Sequence, residues 1–153
     1  MDLLDSTWTI YYHHNDNQDW TINGYKKIGT ITSIQEYYTF IKTIPKIKGI
    51  LFIMREDVLP LWEDSKNKNG GAFTLFFSDD EYHEYLERTS TYMLAEQLVS
   101  GRNTNKNITG LSITSKHNSY SLKIWINDNK VARNLQFNKS LLFAKLSYKS
   151  HFK

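Results

Sequence analysis

The 153 residues, 40% hydrophobic and 14% aromatic, are enough for one core and too few for two, so a single domain over residues 1–153 is expected. The absence of cysteine excludes a disulfide framework and a thiolate zinc site, no apolar run approaches the ~20 residues of a bilayer span, and Met1-Asp-Leu-Leu-Asp5 lacks the basic start of a signal peptide. A net charge of +3, from 19 basic and 16 acidic side chains, is too weak a field for an indiscriminate nucleic-acid binder, so any RNA recognition has to come from a local pocket.

Trp8 to His13 and Tyr25 to Thr32 are dense in aromatic and β-branched residues and read as strands. A helix is predicted next. Ser33 and Glu36 form a capping box, Ile34, Tyr37, Tyr38, Ile41 and Ile44 fall on one face, and Pro45 stops the pattern. Ile50 to Arg55 and Ala72 to Ser78 read as further strands joined by a long loop. A second capping box, Ser78 with Glu81, starts a longer helix near Asp79, with Tyr82, Tyr85, Leu86, Thr89, Met93 and Leu98 on its apolar face and Gly101 closing it. Arg102 to Thr109 is polar, rich in asparagine, and reads as loop. Leu111 to Ser115 and Leu122 to Ile126 pair as a hairpin about His117-Asn-Ser119, which is expected to bring Lys116 and Trp125 near one another on the sheet. Asp128 caps a short helix containing Val131 and Leu135, and Leu141 to Tyr148 is a last alternating strand. Strands outnumber helices and most joins are short, so the expected class is α+β, one mainly antiparallel sheet with helices packed on its outer face.

The loop between the third and fourth strands carries the most distinctive run, Pro60-Leu-Trp-Glu-Asp-Ser-Lys-Asn-Lys-Asn-Gly-Gly-Ala-Phe73. A tryptophan offers a flat, electron-rich face, and a carboxylate beside it can accept two parallel hydrogen bonds from a purine edge, so Trp62-Glu63 suits a positively charged base. Trp20 supplies a second face for a sandwich. Single tryptophans are ordinarily packing residues, and Trp8 is read that way. Asp64 is read as holding the loop by hydrogen bonds. His13-His14 points to opposite faces of a strand with no third ligand, so no metal and no cofactor is assigned.

The run resembles the signature of the eukaryotic translation initiation factor 4E family, which binds the 7-methylguanosine cap of messenger RNA. Trp8-Thr-Ile-Tyr-Tyr-His13 with Asn15-Asp16 and Trp20 resembles the family's opening strand and first stacking tryptophan, and Lys123-Ile-Trp125 its isoleucine-tryptophan pair. The resemblance implies a curved sheet with the ligand on its concave side and helices on the convex side. It implies that Trp20 and Trp62 stack on the methylated base, that Glu63 accepts hydrogen bonds from it, and that Trp125 lies against the methyl group. Lys116 aligns with a phosphate-contacting arginine of the family. Ser121 and Ala72 stand where the family has further cations, so Lys66, Lys68, Lys123 and Arg102 are alternatives for the phosphate grip.

The partners implied are capped messenger RNA and, on the convex side, a helical peptide of the scaffold initiation factor 4G or of a 4E-binding protein, with the chain a cytoplasmic monomer, or one shared with the nucleus. There Tyr38 stands where the family has a tryptophan, and Gln97 falls near the position of a leucine on the second helix. A translation initiation factor is the leading expectation, and a cap-binding repressor or decoy with altered partner choice the alternative. An enzyme with Glu63 and Asp64 as an acid-base or metal-binding pair is not expected, since the sequence offers neither a phosphate-cradling glycine loop nor a nucleophile-base constellation.

Overall fold

A computed structural model of the chain describes residues 3–43, 48–117, 119–141 and 146–152. Seven strands form one curved sheet: β1 (Leu3–His14), β2 (Lys26–Ser33), β3 (Gly49–Arg55), β4 (Gly71–Ser78), β5 (Ile108–Lys116), β6 (Ser119–Ile126) and β7 (Ser147–Ser150). Their spatial order is β2-β1-β3-β5-β6-β4-β7, and every pairing is antiparallel. Register irregularities between Ile10 and Tyr11, and between Ile108 and Gly110, mark bulges of the kind that bend and twist a strand.

Strict alternation divides the sheet into two faces. Ile10, Leu51, Ile53, Leu75, Phe77, Leu111, Ile113, Leu122 and Ile124 are buried on the convex face in the main core, beneath the helices. Tyr11, Phe52, Met54, Ala72 and Trp125 form a smaller cluster on the concave face. That second cluster is the base of the site described below.

Helix α1 (Ile34–Thr43) begins as the sequence predicts: the Glu36 amide donates to Ser33 Oγ at 3.2 Å. The Glu36 carboxylate reaches one residue further back than a standard capping box and accepts from the Thr32 amide at 3.1 Å. Ile44 and Pro45, the expected last apolar residue and stop, lie outside the described residues. Tyr37, fully buried, meets the Ser90 hydroxyl and ties α1 to α2 (Tyr82–Leu94). The second capping box is present, and it opens a short 3-10 turn, Asp79–Glu81, ahead of α2.

The expected end of α2 at Gly101 is wrong by seven residues. Helical pairing stops at Leu94, the Gln97 amide bonds Tyr92 O at 2.9 Å, and the Glu96 amide bonds Met93 O at 3.1 Å around a left-handed Glu96 (φ 57). This is a Schellman ending with glutamate where glycine is favoured. A long-range ion pair holds it. Arg55 at the end of β3 grips Glu96 with two hydrogen bonds of 2.9 and 2.7 Å, donates to the Ile108 and Asn105 carbonyls, and lies 4.4 Å over the Trp8 ring. Glu96 is 5% exposed, so its carboxylate is a buried charge answered by a rigid fork. Leu98 is buried in the core from outside the helix, and Gln97 is exposed beyond the helix end, so the placement of Gln97 on the second helix is also corrected.

Three further boundaries move. β1 begins at Leu3, five residues before the expected Trp8. Thr104–Asn107, within the expected loop, forms a 3-10 turn, and Ile108 and Thr109 already belong to β5. The last strand is Ser147–Ser150, preceded by a 3-10 turn at Lys139–Leu141, and residues 142–145 of the expected strand lie outside the described residues. Asp128 does cap α3 (Asn129–Ala132), accepting from the Lys130 amide at 2.8 Å, and Leu135 lies past its end.

Candidate functional site

The concave face holds a cavity of about 420 Å³ whose walls include Trp20, Trp62, Glu63 and Trp125. Trp125, 2% exposed, forms its floor, and its indole N–H donates to Ser112 Oγ at 3.0 Å, which fixes the ring. Phe52 meets Trp125 edge-on at 6.0 Å, and Tyr25 meets Phe52 at 5.4 Å. Trp20 and Trp62 are 52% and 48% exposed, an unusual state for tryptophan that leaves large aromatic faces open at the cavity walls.

Trp20 stands on a loop that His13 holds from below. The imidazole stacks on the indole at 3.8 Å with 6° between the planes, and its Nε2 lies 2.8 Å from the Asp19 carbonyl. Asp19 in turn accepts from the Thr21 amide at 2.9 Å, and Asn17 donates to the Gly24 carbonyl at 3.1 Å. His13 is buried while the adjacent His14 is exposed, as alternation requires.

Trp62 stands on the loop joining β3 to β4, and two side chains fasten that loop. Asp64 accepts from the Leu59 and Lys66 amides at 2.9 and 2.8 Å. Asn67, fully buried, donates to the Leu59 and Leu61 carbonyls at 3.0 and 2.9 Å and accepts from Thr109 of β5 at 2.8 Å. The double glycine is a matter of space: a Cβ on Gly70 would sit 1.7 Å from Ile126 O, and one on Gly71 would sit 2.2 Å from Lys149 O. Behind the indole lies His151, stacked on Trp62 at 5.8 Å and 17° and also 4.9 Å from Trp125. Burial, then the charge of Lys123, pushes the His151 pKa down to about 4, so the ring is neutral near pH 7. Its Nε2 is buried and has no hydrogen-bond partner among the described residues.

Charges are arranged unevenly around the cavity. Glu63 supplies a negative wall, and burial together with that carboxylate pushes the Tyr25 hydroxyl up to about 12. Lys123 supplies the positive one. It also lines a smaller cleft of about 150 Å³ behind Trp62 with Lys149, Thr74 and His151. Burial, then Lys116 and Lys149, lowers the Lys123 pKa, which places Lys123 within the field of two further cations.

The other predicted residues fall elsewhere. Lys116 pairs with Ser119 at the hairpin tip while Trp125 pairs with Gly110 at the far end, so the expected proximity of Lys116 and Trp125 is corrected: six residues of strand, roughly 20 Å, separate them. Lys66 is engaged by Asp57, Lys68 faces a separate polar cleft with Asn127 and Asp128, and Arg102 is paired with Asp5. Tyr38 is partly exposed on α1, its ring against Tyr37 at 5.4 Å. Among the described residues no group of three or more His, Asp or Glu side chains could hold a metal ion.

His13, Tyr25, Lys149 and His151 enter the site without having been singled out for it. Lys149 had a local signal, since it alternates with Tyr148, whose ring packs on the core, just as Lys123 alternates with Leu122 and Ile124. The stacking of His13 and His151 on distant tryptophans had none.

The family model described as eukaryotic initiation factor 4E matches residues 3–153. Among curated proteins, the eukaryotic translation initiation factor 4E homolog of Acanthamoeba polyphaga mimivirus is 23% identical over 144 residues, covering 78% of this chain and 53% of the relative. The initiation factor 4E of Eremothecium gossypii is 23% identical over 132 residues, covering 80% of this chain and 61% of the relative. The chain thus spans between about half and two thirds of the length of these relatives. Among solved structures, Ascaris suum eIF4E-3 with an m2,2,7G cap superposes with a TM-score of 0.80 at 15% identity, covering 97% of this chain and 91% of that one. C. elegans eIF4E-3 with the 4E-binding protein Mextli and a cap analog gives 0.83 at 16%, covering 97% and 92%. At such identities the likeness is one of fold; the match of the family model over nearly every residue goes further, and by it the chain belongs to the eukaryotic initiation factor 4E family.

Proposed function

We propose that this chain binds the 7-methylguanosine 5′ cap of messenger RNA and acts as a translation initiation factor. The observation that carries the reading is the convergence of Trp20, Trp62, Glu63 and Trp125, from separate stretches of sequence, on one cavity of about 420 Å³. Trp20 and Trp62 sandwich the base, Glu63 accepts from its ring N–H and exocyclic amine, and Trp125 lies against the methyl group. Methylation gives the ring a delocalised positive charge, which adds a cation-π contribution of ~0.5–2 kcal/mol to stacking and makes the Glu63 bonds charge-assisted. A neutral His151 behind Trp62 suits a cationic ligand better than an imidazolium would.

Lys123 and Lys149 receive the phosphates, with Lys116 adding its field; Lys66 and Arg102 are already paired with carboxylates. An acid-base role for Glu63 with Asp64 has no support, because both Asp64 oxygens are spent on loop amides. Titration with 7-methylguanosine triphosphate and with guanosine triphosphate, followed by tryptophan fluorescence, tests the reading. The stacking term alone predicts a preference of about 2- to 30-fold for the methylated nucleotide. Equal affinities would overturn it.

A second reading, a cap-binding repressor or decoy, is favoured by one feature, the partner surface. Tyr38 presents a phenol on α1, and Gln97 is displaced beyond the end of α2. C. elegans eIF4E-3 is solved with a 4E-binding protein, and a helical peptide on the convex face is the corresponding partner proposed here. Isothermal titration of a helical peptide from a scaffold initiation factor separates the readings: tight binding supports the initiation factor, and failure to bind alongside normal cap binding supports the repressor.

A further inference from the structure

Beyond the base pocket, the concave face carries an aromatic side chain that lies outside both hydrophobic clusters of the described residues. Phe76 of β4 is 66% exposed, whereas its neighbours Leu75 and Phe77 are buried in the convex-side core at 1% and 5%. Alternation therefore puts Phe76 on the same face as Ala72 and Thr74, which line the cleft behind Trp62. Register fixes what surrounds it. Ala72 pairs with Trp125, Thr74 with Lys123, Phe76 with Ser121, and Ser78 with Ser119, which in turn pairs with Lys116. Read along the strand, the concave face thus presents tryptophan, lysine, phenylalanine and lysine in successive cross-strand rows, each roughly 7 Å from the last.

Alternating cations and open aromatic rings along a track are the composition of a single-stranded nucleic-acid path, in which phosphates meet the cations and bases lie flat on the rings. The Lys116 charge reaches Lys123, so Phe76 lies between cations that share one field. Serines flank the ring on the sheet, and they would not cover an apolar protein anchor.

We infer that Phe76 is the stacking platform for the base of the first nucleotide after the cap, with Lys116 receiving the phosphate that follows it. This rests on the cap-binding reading above. It extends the site from a mononucleotide pocket to a short RNA track along β4 and β6, and it gives Lys116, too far from Trp125 to serve the cap base, a place on the ligand. Because stacking is indifferent to hydrogen-bond pattern, the platform favours purines by their larger rings without reading a sequence.

The test compares wild type, Phe76→Ser and Phe76→Trp with 7-methylguanosine triphosphate, with the dinucleotide cap m7GpppA, and with m7GpppC, at one salt concentration. Phe76→Ser should leave triphosphate affinity within about twofold and weaken m7GpppA by about 5-fold or more, the low end of what a lost base-aromatic stack costs. Phe76→Trp should restore or tighten m7GpppA binding, and the loss in the serine variant should be smaller for m7GpppC. If wild type prefers the methylated triphosphate over guanosine triphosphate but Phe76→Ser binds m7GpppA as tightly as wild type does, the platform is refuted and the base pocket stands. If wild type shows no preference for the methylated triphosphate, both are refuted. An unchanged m7GpppA affinity with lost binding of a protein partner would assign Phe76 to a protein surface instead, and equally refutes the platform.

Discussion

His13 is the support of the Trp20 wall, and removing it should cost nearly as much cap affinity as removing Trp20 itself. In His13→Ala the indole loses a ring stacked at 3.8 Å, and the loop loses the contact between Nε2 and the Asp19 carbonyl at 2.8 Å. An aromatic pair contributes ~0.5–1.5 kcal/mol, and a typical intramolecular hydrogen bond about the same. Together they amount to roughly 1–3 kcal/mol of loop order, comparable to the ~1–3 kcal/mol that one base-aromatic stack is worth. The affinity for 7-methylguanosine triphosphate should therefore fall by roughly 5- to 150-fold, approaching that of Trp20→Ala. Non-additivity is the decisive feature, because both residues act through one indole. Isothermal titration of His13→Ala, Trp20→Ala and the double variant should give a double-variant loss close to that of Trp20→Ala alone. His13→Phe, which keeps the stack but not the hydrogen bond, should fall between wild type and His13→Ala, and urea denaturation monitors global stability alongside. Wild-type affinity in His13→Ala, or losses that simply add in the double variant, would refute the account of Trp20 positioning.

Lys123→Met and Lys149→Met should each flatten the rise in affinity from nucleoside to triphosphate, and each should lower the slope of log affinity against log salt by roughly 0.7; an unchanged slope in both would move the phosphates elsewhere. Arg55→Ala leaves the Glu96 carboxylate buried with no guanidinium fork and only Lys106, at 3.9 Å, to answer it, and should destabilise the fold by roughly 3–5 kcal/mol in urea denaturation, whereas Arg55→Met with Glu96→Gly, which removes both charges and suits the left-handed position, should recover most of that loss. His151 has its folded-state pKa lowered to about 4 from 6.5, so between these values the unfolded chain binds the extra proton. Its contribution to stability is therefore complete above pH 6.5 and is lost as pH falls toward 4. His151→Phe should remove this component, and a wild-type-minus-variant stability difference that is flat from pH 6.5 to 4.5 would refute it.

Much of this fold was legible because alternation and local capping are short-range signals. β4 alternates buried and exposed residues from Leu75 to Ser78, β3 and β6 are short apolar runs buried along nearly their whole length, and the Ser33-Glu36 and Ser78-Glu81 pairs announce helices within four positions. What could not be read locally depends on distant partners. The stop of α2 is set by Arg55, which lies 41 residues before the Glu96 it holds, and a glutamate in a glycine position gives no local hint of a helix end. The pocket residues followed the same division. Trp62, Glu63 and Trp125 were picked out by motif and they line one cavity, whereas the separation of Lys116 from Trp125 needed the register of the hairpin. Lys149, on a four-residue strand, becomes part of the site only through the pairing of Ala72 with both Trp125 and Lys149.

The sheet order bears on how and when the site comes into being. β4 does not lie beside β3 but beyond β5 and β6, so the loop bearing Trp62 must bridge the places of two strands that are made after it. Its buried pin, Asn67, has its partner on β5, and the ring behind Trp62 belongs to His151. During synthesis, Trp62 therefore leaves the ribosome well before the surfaces that orient it, whereas the supports of Trp20 are local. Long-range strand pairing of this kind folds slowly compared with local helical structure. A nascent chain ending before β5 lacks the partner of Asn67, the Trp125 floor and the ring of His151, so the cavity is complete only after β5, β6 and β7 have closed the sheet around the loop.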